Sequence, residues 1–416
     1  MEEIFSYGFR VGHPRFFSVI PSPSCPESWI GETITSAFNP FSGSQKAGTG
    51  VCAIEKSFIA WICEQIGLPS SAGGHFVSGA SVANLTALIV ARDQMLGEKM
   101  WRRERAVGYI SDQTHFCVRK ALGIIGFSDR NIRVIESNSQ YRMDATQLSR
   151  MIDQDLKSGN IPFVIVGTCG TTNTGSIDPL EELAEIADKH NIWLHIDAAY
   201  GGSVAFSKTY KGLVAGLRHA NSISWDAHKW LFQVHGCGAV LFRERTHPLK
   251  SFASSADVLA SIEDAENLLD PWNYGIELTR PARHMPLWFS LQSLGMDKVD
   301  AMISRGFYLA KLVETELRKL PHWKIISPAD MGIITFRYVP KEKFTPGPDL
   351  LSSLISKRLE AEDIAIILTT RLKGMVCLRM CTINPRTQDC EIRQVVKALD
   401  QVAKGFEHEQ STGNTT

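Results

Sequence analysis

Four short apolar runs in this chain each close on a side chain or turn able to do chemistry. Ile110-Ser111-Asp112-Gln113-Thr114-His115 ends at an imidazole, and Phe163-Val164-Ile165-Val166-Gly167-Thr168-Cys169-Gly170-Thr171-Thr172 opens into a polar turn. His195-Ile196-Asp197-Ala198-Ala199-Tyr200 places an acid at the end of a strand-like run, and Ser222-Ile223-Ser224-Trp225-Asp226-Ala227-His228-Lys229-Trp230 places a lysine after a histidine. Short β-prone runs separated by segments of helical periodicity read as strands alternating with helices. In α/β sheets, ligands sit outside the carboxyl ends of the strands, so His115, Thr171, Asp197 and Lys229 can converge on one site.

The intervening patterning agrees. Asp178-Pro179-Leu180-Glu181 reads as a helix start with Asp178 as cap, Pro179 at the first helical position and an acid at the third. Leu183, Ile186 and Ala187 carry the apolar face on to His190-Asn191, and residues 192–196 form the next strand. This strand–helix–strand unit predicts a right-handed crossover in a largely parallel sheet. Gly238-Ala239-Val240-Leu241-Phe242 follows the lysine segment directly and reads as an antiparallel hairpin partner. Residues 288–320 read as one long connecting helix. Beyond them, strands at 323–327, 333–338, 364–368 and 375–380 alternate with helices at 350–361 and 391–406, a small α/β domain. Residues 339–348 read as a loop within it, and the polar tail 407–416 as disordered.

A lysine and an acid on neighbouring strand ends are what pyridoxal phosphate (PLP) requires. The amine holds the cofactor as a Schiff base, and the carboxylate keeps the pyridine nitrogen protonated. A lysine after a histidine is commonly a surface pair, and Asp-Ala-Ala a common turn; the two together are far more specific. Gly73-Gly74-His75-Phe76-Val77-Ser78-Gly79-Ala80-Ser81 supplies a third part. This small-residue loop runs into a helix, where backbone N–H groups and the helix dipole favour an anion.

On these segments the chain resembles the PLP-dependent group II amino-acid decarboxylases, the family of aromatic amino-acid, glutamate, histidine and tyrosine decarboxylases. The likeness extends from His13-Pro14-Arg15-Phe16-Phe17 to Leu378-Arg379-Met380, and its His-x-Asp-Ala-Ala-Tyr and Asp-Ala-His-Lys-Trp-Leu motifs are highly specific. It implies a fold type I architecture, in which a large domain with a mostly parallel seven-stranded sheet carries a small C-terminal α/β domain. The expected divisions are an N-terminal segment at 1–45, a large PLP-binding domain at 46–310 and a small domain at 311–416. It also implies the roles. Lys229 holds the cofactor, Asp197 pairs with the pyridinium, and Ala199 and His115 cover the two ring faces. Ala80 and Ser81 cradle the phosphate, Asp226 and His228 line the same end, and Thr171 lies beside the ring. Arg379, Cys52 and Phe38 fall where the family meets its substrate. The implied reaction is decarboxylation of an L-amino acid to an amine and carbon dioxide, in a homodimer.

Two departures qualify this. Family members carry a tyrosine on a loop after the lysine segment, thought to deliver the final proton to Cα. Here Val258 occupies that place, and no tyrosine lies between Tyr210 and Tyr274. Three outcomes stay open: another group, such as His228 or Lys229, donates the proton; oxygen intervenes and an aldehyde forms; or a different partner reacts. The second departure is at the front. Several dozen helical residues usually precede the His-Pro motif and wrap around the partner subunit, whereas 12 residues precede His13 here. A dimer that separates more readily is expected.

Composition fits a globular enzyme. The 416 residues are 44% hydrophobic and 21% charged, enough for a large core. Basic and acidic residues balance at 44 each, which gives no footprint for nucleic acid or an anionic membrane. Nine cysteines are scattered without Cys-x-x-Cys pairing or metal-like histidine spacing, the pattern of reduced thiols. The acidic start and the lack of any apolar run near ~18 residues predict neither signal peptide nor membrane span, and a cytoplasmic location. Trp29, Phe38, Asn39, Pro40 and Phe41 precede the first core helix and favour an apolar or aromatic substrate over an acidic one. A PLP aminotransferase or carbon–carbon lyase, and a non-catalytic homologue, are the competing readings.

Overall fold

In the computed structural model of the chain, the described residues are 8–253, 270–340, 344–345 and 347–411. They fall into two compact units. One is drawn from residues 24–171 and 176–300, the other from 1–23, 172–175 and 301–416.

The first unit is built on seven strands: β1 Gly73–Val77, β2 Ala106–Ser111, β3 Ile132–Ile135, β4 Ile161–Thr168, β5 Trp193–Asp197, β6 Ser222–Asp226 and β7 Gly238–Phe242. Their order across the sheet is β1-β7-β6-β5-β4-β2-β3. The pairings among β2 to β6 are parallel, and β7 runs antiparallel between β6 and β1. The mostly parallel sheet and the hairpin expected at Gly238–Phe242 are both present. β4, β5 and β6 are buried along nearly their whole length, which is why they read as continuous apolar runs.

The helix Ala80–Leu96 packs on this sheet. Ala83, Ala87 and Ala91 recur one turn apart and are fully buried, so the helix lies close to Val164, Val166 and Trp193. Leu88 and Val90 add fully buried aliphatic contacts, each contributing about 1.5–3 kcal/mol. Packing of this strength fixes the start of a helix that has no side-chain cap. That start is also set by glycine. A Cβ on Gly238 would lie 2.7 Å from the Gly79 Cα and 2.5 Å from Asp226 Oδ1, so only a bare backbone lets β7, Gly79 and Asp226 meet.

Two local expectations are corrected here. Asp178 does not cap a helix: Leu180–His190 starts after Pro179 with no side-chain cap. Asp178 is instead buried and accepts from the backbone N–H groups of Met143 (2.7 Å) and Thr168 (2.8 Å), tying the end of β4 to a neighbouring loop. Burial pushes its carboxyl up to about 6. The helix does end at Asn191, which adopts a left-handed conformation (φ 50°). The single helix expected over 288–320 is two, Met285–Leu294 and Met296–Arg318, because Gly295 takes a positive φ of 72°.

The second unit holds β8 Trp323–Asp330, β9 Ile333–Tyr338, β10 Leu368–Leu372 and β11 Met375–Cys381, in the order β10-β11-β9-β8 with every pairing antiparallel. Phe336, Leu378, Met380, Leu351, Ile355, Val395 and Leu399 form its core with the helices Pro348–Ala361 and Asp389–Ser411. The strand expected at 364–368 lies later, at Leu368–Leu372. Ala365 and Ile367 are apolar because they pack in this core, and the Ile366 carbonyl accepts from the Phe17 N–H (2.9 Å). The tail is corrected for residues 407–411, since the last helix runs on to Ser411; residues 412–416 lie outside the described residues. Glu407 accepts from the Tyr338 hydroxyl (2.7 Å), and Glu409 pairs with Arg358 (3.6 Å). All nine cysteines are free and eight are buried. No described helix is long and apolar enough to cross a membrane. Among the described residues, no cluster of three or more His, Cys, Asp or Glu could hold a metal.

Candidate active site

Strand alternation explains what points into the site. Along β5, Trp193, His195 and Asp197 share one face; along β6, Ser222, Ser224 and Asp226 do. Register then places Asp197 opposite Ser224. Asp197 is 5% exposed and held by three donors. Its Oδ1 accepts from the Ala199 N–H (3.1 Å) and the Ser224 hydroxyl (3.2 Å), and its Oδ2 from the Asn84 amide (3.2 Å). The carboxylate is therefore oriented before any ligand arrives.

One strand over, β6 ends at Asp226 and passes into the short helix Ala227–Trp230. The Lys229 ammonium lies 3.3 Å from Asp226 Oδ2, and His228 Nε2 lies 3.6 Å from the same oxygen. Asp226 Oδ1 is buried without a hydrogen-bond partner among the described residues. His228 Nδ1 lies 3.0 Å from the Cys237 carbonyl, which can only accept. The neutral ring thus carries its proton on Nδ1 and keeps a lone pair on Nε2. Burial holds the His228 pKa below its usual value, with the Asp226 charge pulling the other way.

His115 follows β2 and caps the helix Phe116–Ile124, its Nδ1 accepting from the Cys117 N–H (3.3 Å). Burial lowers its pKa, with the Asp197 charge pulling the other way. Ala199 is buried beside Asp197. Ala80 and Ser81 open the uncapped helix, where a Cβ on Gly79 would come within 3.2 Å of His228. Thr171 is fully buried just past β4, its N–H donating to the Ser176 carbonyl (2.9 Å).

Cys52 is buried on the helix Thr49–Ile66, where its thiol meets the Ser44 carbonyl (3.5 Å) and burial raises its pKa. Phe38 ends the helix Pro26–Phe38 and is 82% exposed. Arg379 belongs to β11 in the second unit and donates to the carbonyls of Thr172 (3.0 Å) and Ser18 (2.5 Å). Val258 lies outside the described residues. Sequence reasoning missed Asn84 and Ser224, which grip Asp197. For Ser224 a signal existed, because it alternates with Asp226 on a strand beside β5.

These residues fit pyridoxal phosphate. A fixed carboxylate ends β5, and an amine stands on the short helix that follows the adjacent strand β6. The uncapped helix start, with exposed Ser81 beside it, offers N–H donors to a phosphate.

Comparison with known proteins agrees. The profile described as "Pyridoxal-dependent decarboxylase conserved domain" matches residues 1–339. The chain is 36% identical over 403 residues to the aromatic-L-amino-acid decarboxylase of Bacillus atrophaeus, covering 96% of this chain and 83% of that protein. It is 32% identical over 335 residues to a phenylacetaldehyde synthase of Petunia hybrida, covering 78% and 66%. The crystal structure of Oryza sativa TDC with PLP and tryptamine superposes with a TM-score of 0.90 at 24% identity, covering 97% of this chain and 86% of that one. That likeness is one of fold.

Proposed function

The chain belongs to the pyridoxal-dependent decarboxylase family, and on that premise we propose that it converts an aromatic L-amino acid to its amine and carbon dioxide. The observation that carries the proposal is the placement of Asp197 at the end of β5, fixed by three donors, and of Lys229 on the short helix that follows the adjacent parallel strand β6. Identity of 36% to an aromatic-L-amino-acid decarboxylase supports the substrate class.

Bound PLP supplies an electron sink for the pair released when the bond from Cα to the carboxylate breaks. The protein's own residues set the conditions. Lys229 offers the amine that attaches the cofactor and yields to the substrate amine. Asp197 holds the proton on the ring nitrogen, since an adjacent carboxylate raises that nitrogen's proton affinity. His115 and Ala199 confine the ring. The N–H groups at Ala80 and Ser81 hold the phosphate, with Asp226 and His228 at the same end and Thr171 beside the ring. A proton for Cα must come from a group that holds one: the Lys229 ammonium, or His228 once Nε2 has taken up a proton from solvent. The test is kcat/KM across L-tryptophan, L-tyrosine, L-phenylalanine and L-glutamate. The three aromatic substrates should lead, and preference for glutamate would overturn the substrate assignment.

A second reading concerns the product. Val258 cannot donate a proton, and the match to a phenylacetaldehyde synthase keeps aldehyde formation in view. If the loop governs that step, Val258→Tyr raises the amine fraction and lowers aldehyde and hydrogen peroxide. Identical product ratios in both proteins would remove the loop from the account.

We also propose a homodimer that completes each site. Ile30, Ile34 and Phe38 recur every four residues on one helix and are 61%, 38% and 82% exposed. A second chain covering this stripe would bring Phe38 into the role its position suggests.

A further inference from the structure

Behind Asp197, the same faces of β5 and β6 carry buried polar side chains that the proposed chemistry leaves unused. His195 and Asn84 are fully buried, Ser222 is 1% exposed and Trp193 3%. The indole Nε1 of Trp193 donates to the Ser222 hydroxyl at 2.8 Å. That hydroxyl lies 2.9 Å from His195 Nδ1, and His195 Nε2 lies 2.7 Å from Asn84 Oδ1. The Asn84 amide nitrogen then donates to Asp197 Oδ2 at 3.2 Å.

The two ends fix the direction of every hydrogen between them. An indole N–H can only donate, and a carboxylate oxygen only accepts. Asn84 must turn its nitrogen to Asp197, and that nitrogen also reaches Cys117 Sγ at 3.4 Å. Its oxygen therefore faces His195, and the single Ser224 hydroxyl hydrogen is shared between that oxygen (2.9 Å) and Asp197 Oδ1 (3.2 Å). His195 Nε2 must carry the proton, because Asn84 Oδ1 only accepts; Nδ1 lies 3.2 Å from the Ser222 carbonyl and 2.9 Å from the Ser222 hydroxyl, and in the neutral ring it keeps its lone pair and accepts from the nearer hydroxyl. All the hydrogens point towards Asp197. Burial, opposed by the Asp197 charge, keeps the His195 pKa well below its usual value, so the ring remains the neutral relay this pattern needs.

We propose that His195 is a positioning residue acting through Asn84, and that the chain Trp193–Ser222–His195–Asn84 locks the Asp197 side chain and stabilises its negative charge, thereby setting how tightly the protein holds PLP. Aligned hydrogen bonds in a dry interior polarise one another in this sense. The proposal deepens the reading that Asp197 faces the ring nitrogen and rests on it.

The experiment is a double-mutant cycle read as the dissociation constant of PLP from the apoprotein, followed by cofactor absorbance. His195→Ala should weaken PLP binding roughly tenfold in the wild-type background and less than about twofold in Asp197→Asn, because the relay then has no carboxylate to act on. His195→Gln can still donate to Asn84 Oδ1 and should keep affinity within about threefold of wild type, which separates a lost hydrogen bond from damaged packing. Equal losses in both backgrounds, or glutamine as weak as alanine, would overturn the relay. Unchanged affinity and absorbance in Asp197→Asn alone would instead overturn the assignment of Asp197 itself.

Discussion

Lys229 pairs with the buried Asp226 carboxylate at 3.3 Å, so its removal is accompanied by a check of folding by circular dichroism. Lys229→Ala is expected to abolish turnover and covalent cofactor. Borohydride reduction followed by peptide mapping should label Lys229 in the wild type and nothing in the variant; a label on another lysine would refute the assignment. Asp197→Asn keeps the shape of the side chain and deletes its charge. Covalent attachment should survive while kcat falls on the order of 10²–10⁴-fold, the usual reach of a lost proton-holding group. A rate within about tenfold of wild type would show that the ring nitrogen is managed otherwise. Both residues were legible in the sequence because each ends an apolar run, and strand ends are where α/β proteins put chemistry. Asn84 was not. It sits mid-pattern on a helix, and only the docking of that helix on the sheet brings it to Asp197.

At the scale of elements, a buried ion pair joins the helix Thr49–Ile66, β1 and the segment carrying Arg280. Glu55 accepts from Arg280 (2.5 Å), from the Phe76 N–H (2.9 Å) and from the Ser42 hydroxyl (3.1 Å). Burial alone would raise its carboxyl, but the charges of Arg280 and His284 outweigh this and hold it at about 2. A depressed carboxylate contributes stability above its unfolded value of 4.5, and that contribution is lost as pH falls towards about 2. Glu55→Gln strands the Arg280 charge and should cost about 3–5 kcal/mol at neutral pH. In denaturant titrations the gap to wild type should be constant above about pH 5 and close below it; a gap independent of pH would contradict the ionised pair. The alternation of strands and helices was legible from period alone. Two of the corrections share one cause, that a local signal was put to tertiary use. Asp178 has the spacing of a cap but serves two backbone N–H groups of other segments, and the apolar residues at 364–368 are core packing rather than strand.

Assembly is the least legible level, because a surface stripe has no partner within its own chain. If the Ile30–Ile34–Phe38 stripe is a subunit contact, Ile30→Asp combined with Phe38→Asp should shift sedimentation from dimer to monomer and reduce activity with it. An unchanged sedimentation profile would place the contact elsewhere. The substrate class is supported chiefly by likeness to relatives. The central claim, that this chain decarboxylates an aromatic amino acid with PLP at Lys229 and Asp197, is met most directly by mass spectrometry of the products formed from a panel of L-amino acids with and without oxygen. The account predicts carbon dioxide and the corresponding amine from aromatic substrates, in equal yield under both conditions. Carbon dioxide from none of them, with pyridoxamine phosphate accumulating instead, would contradict it.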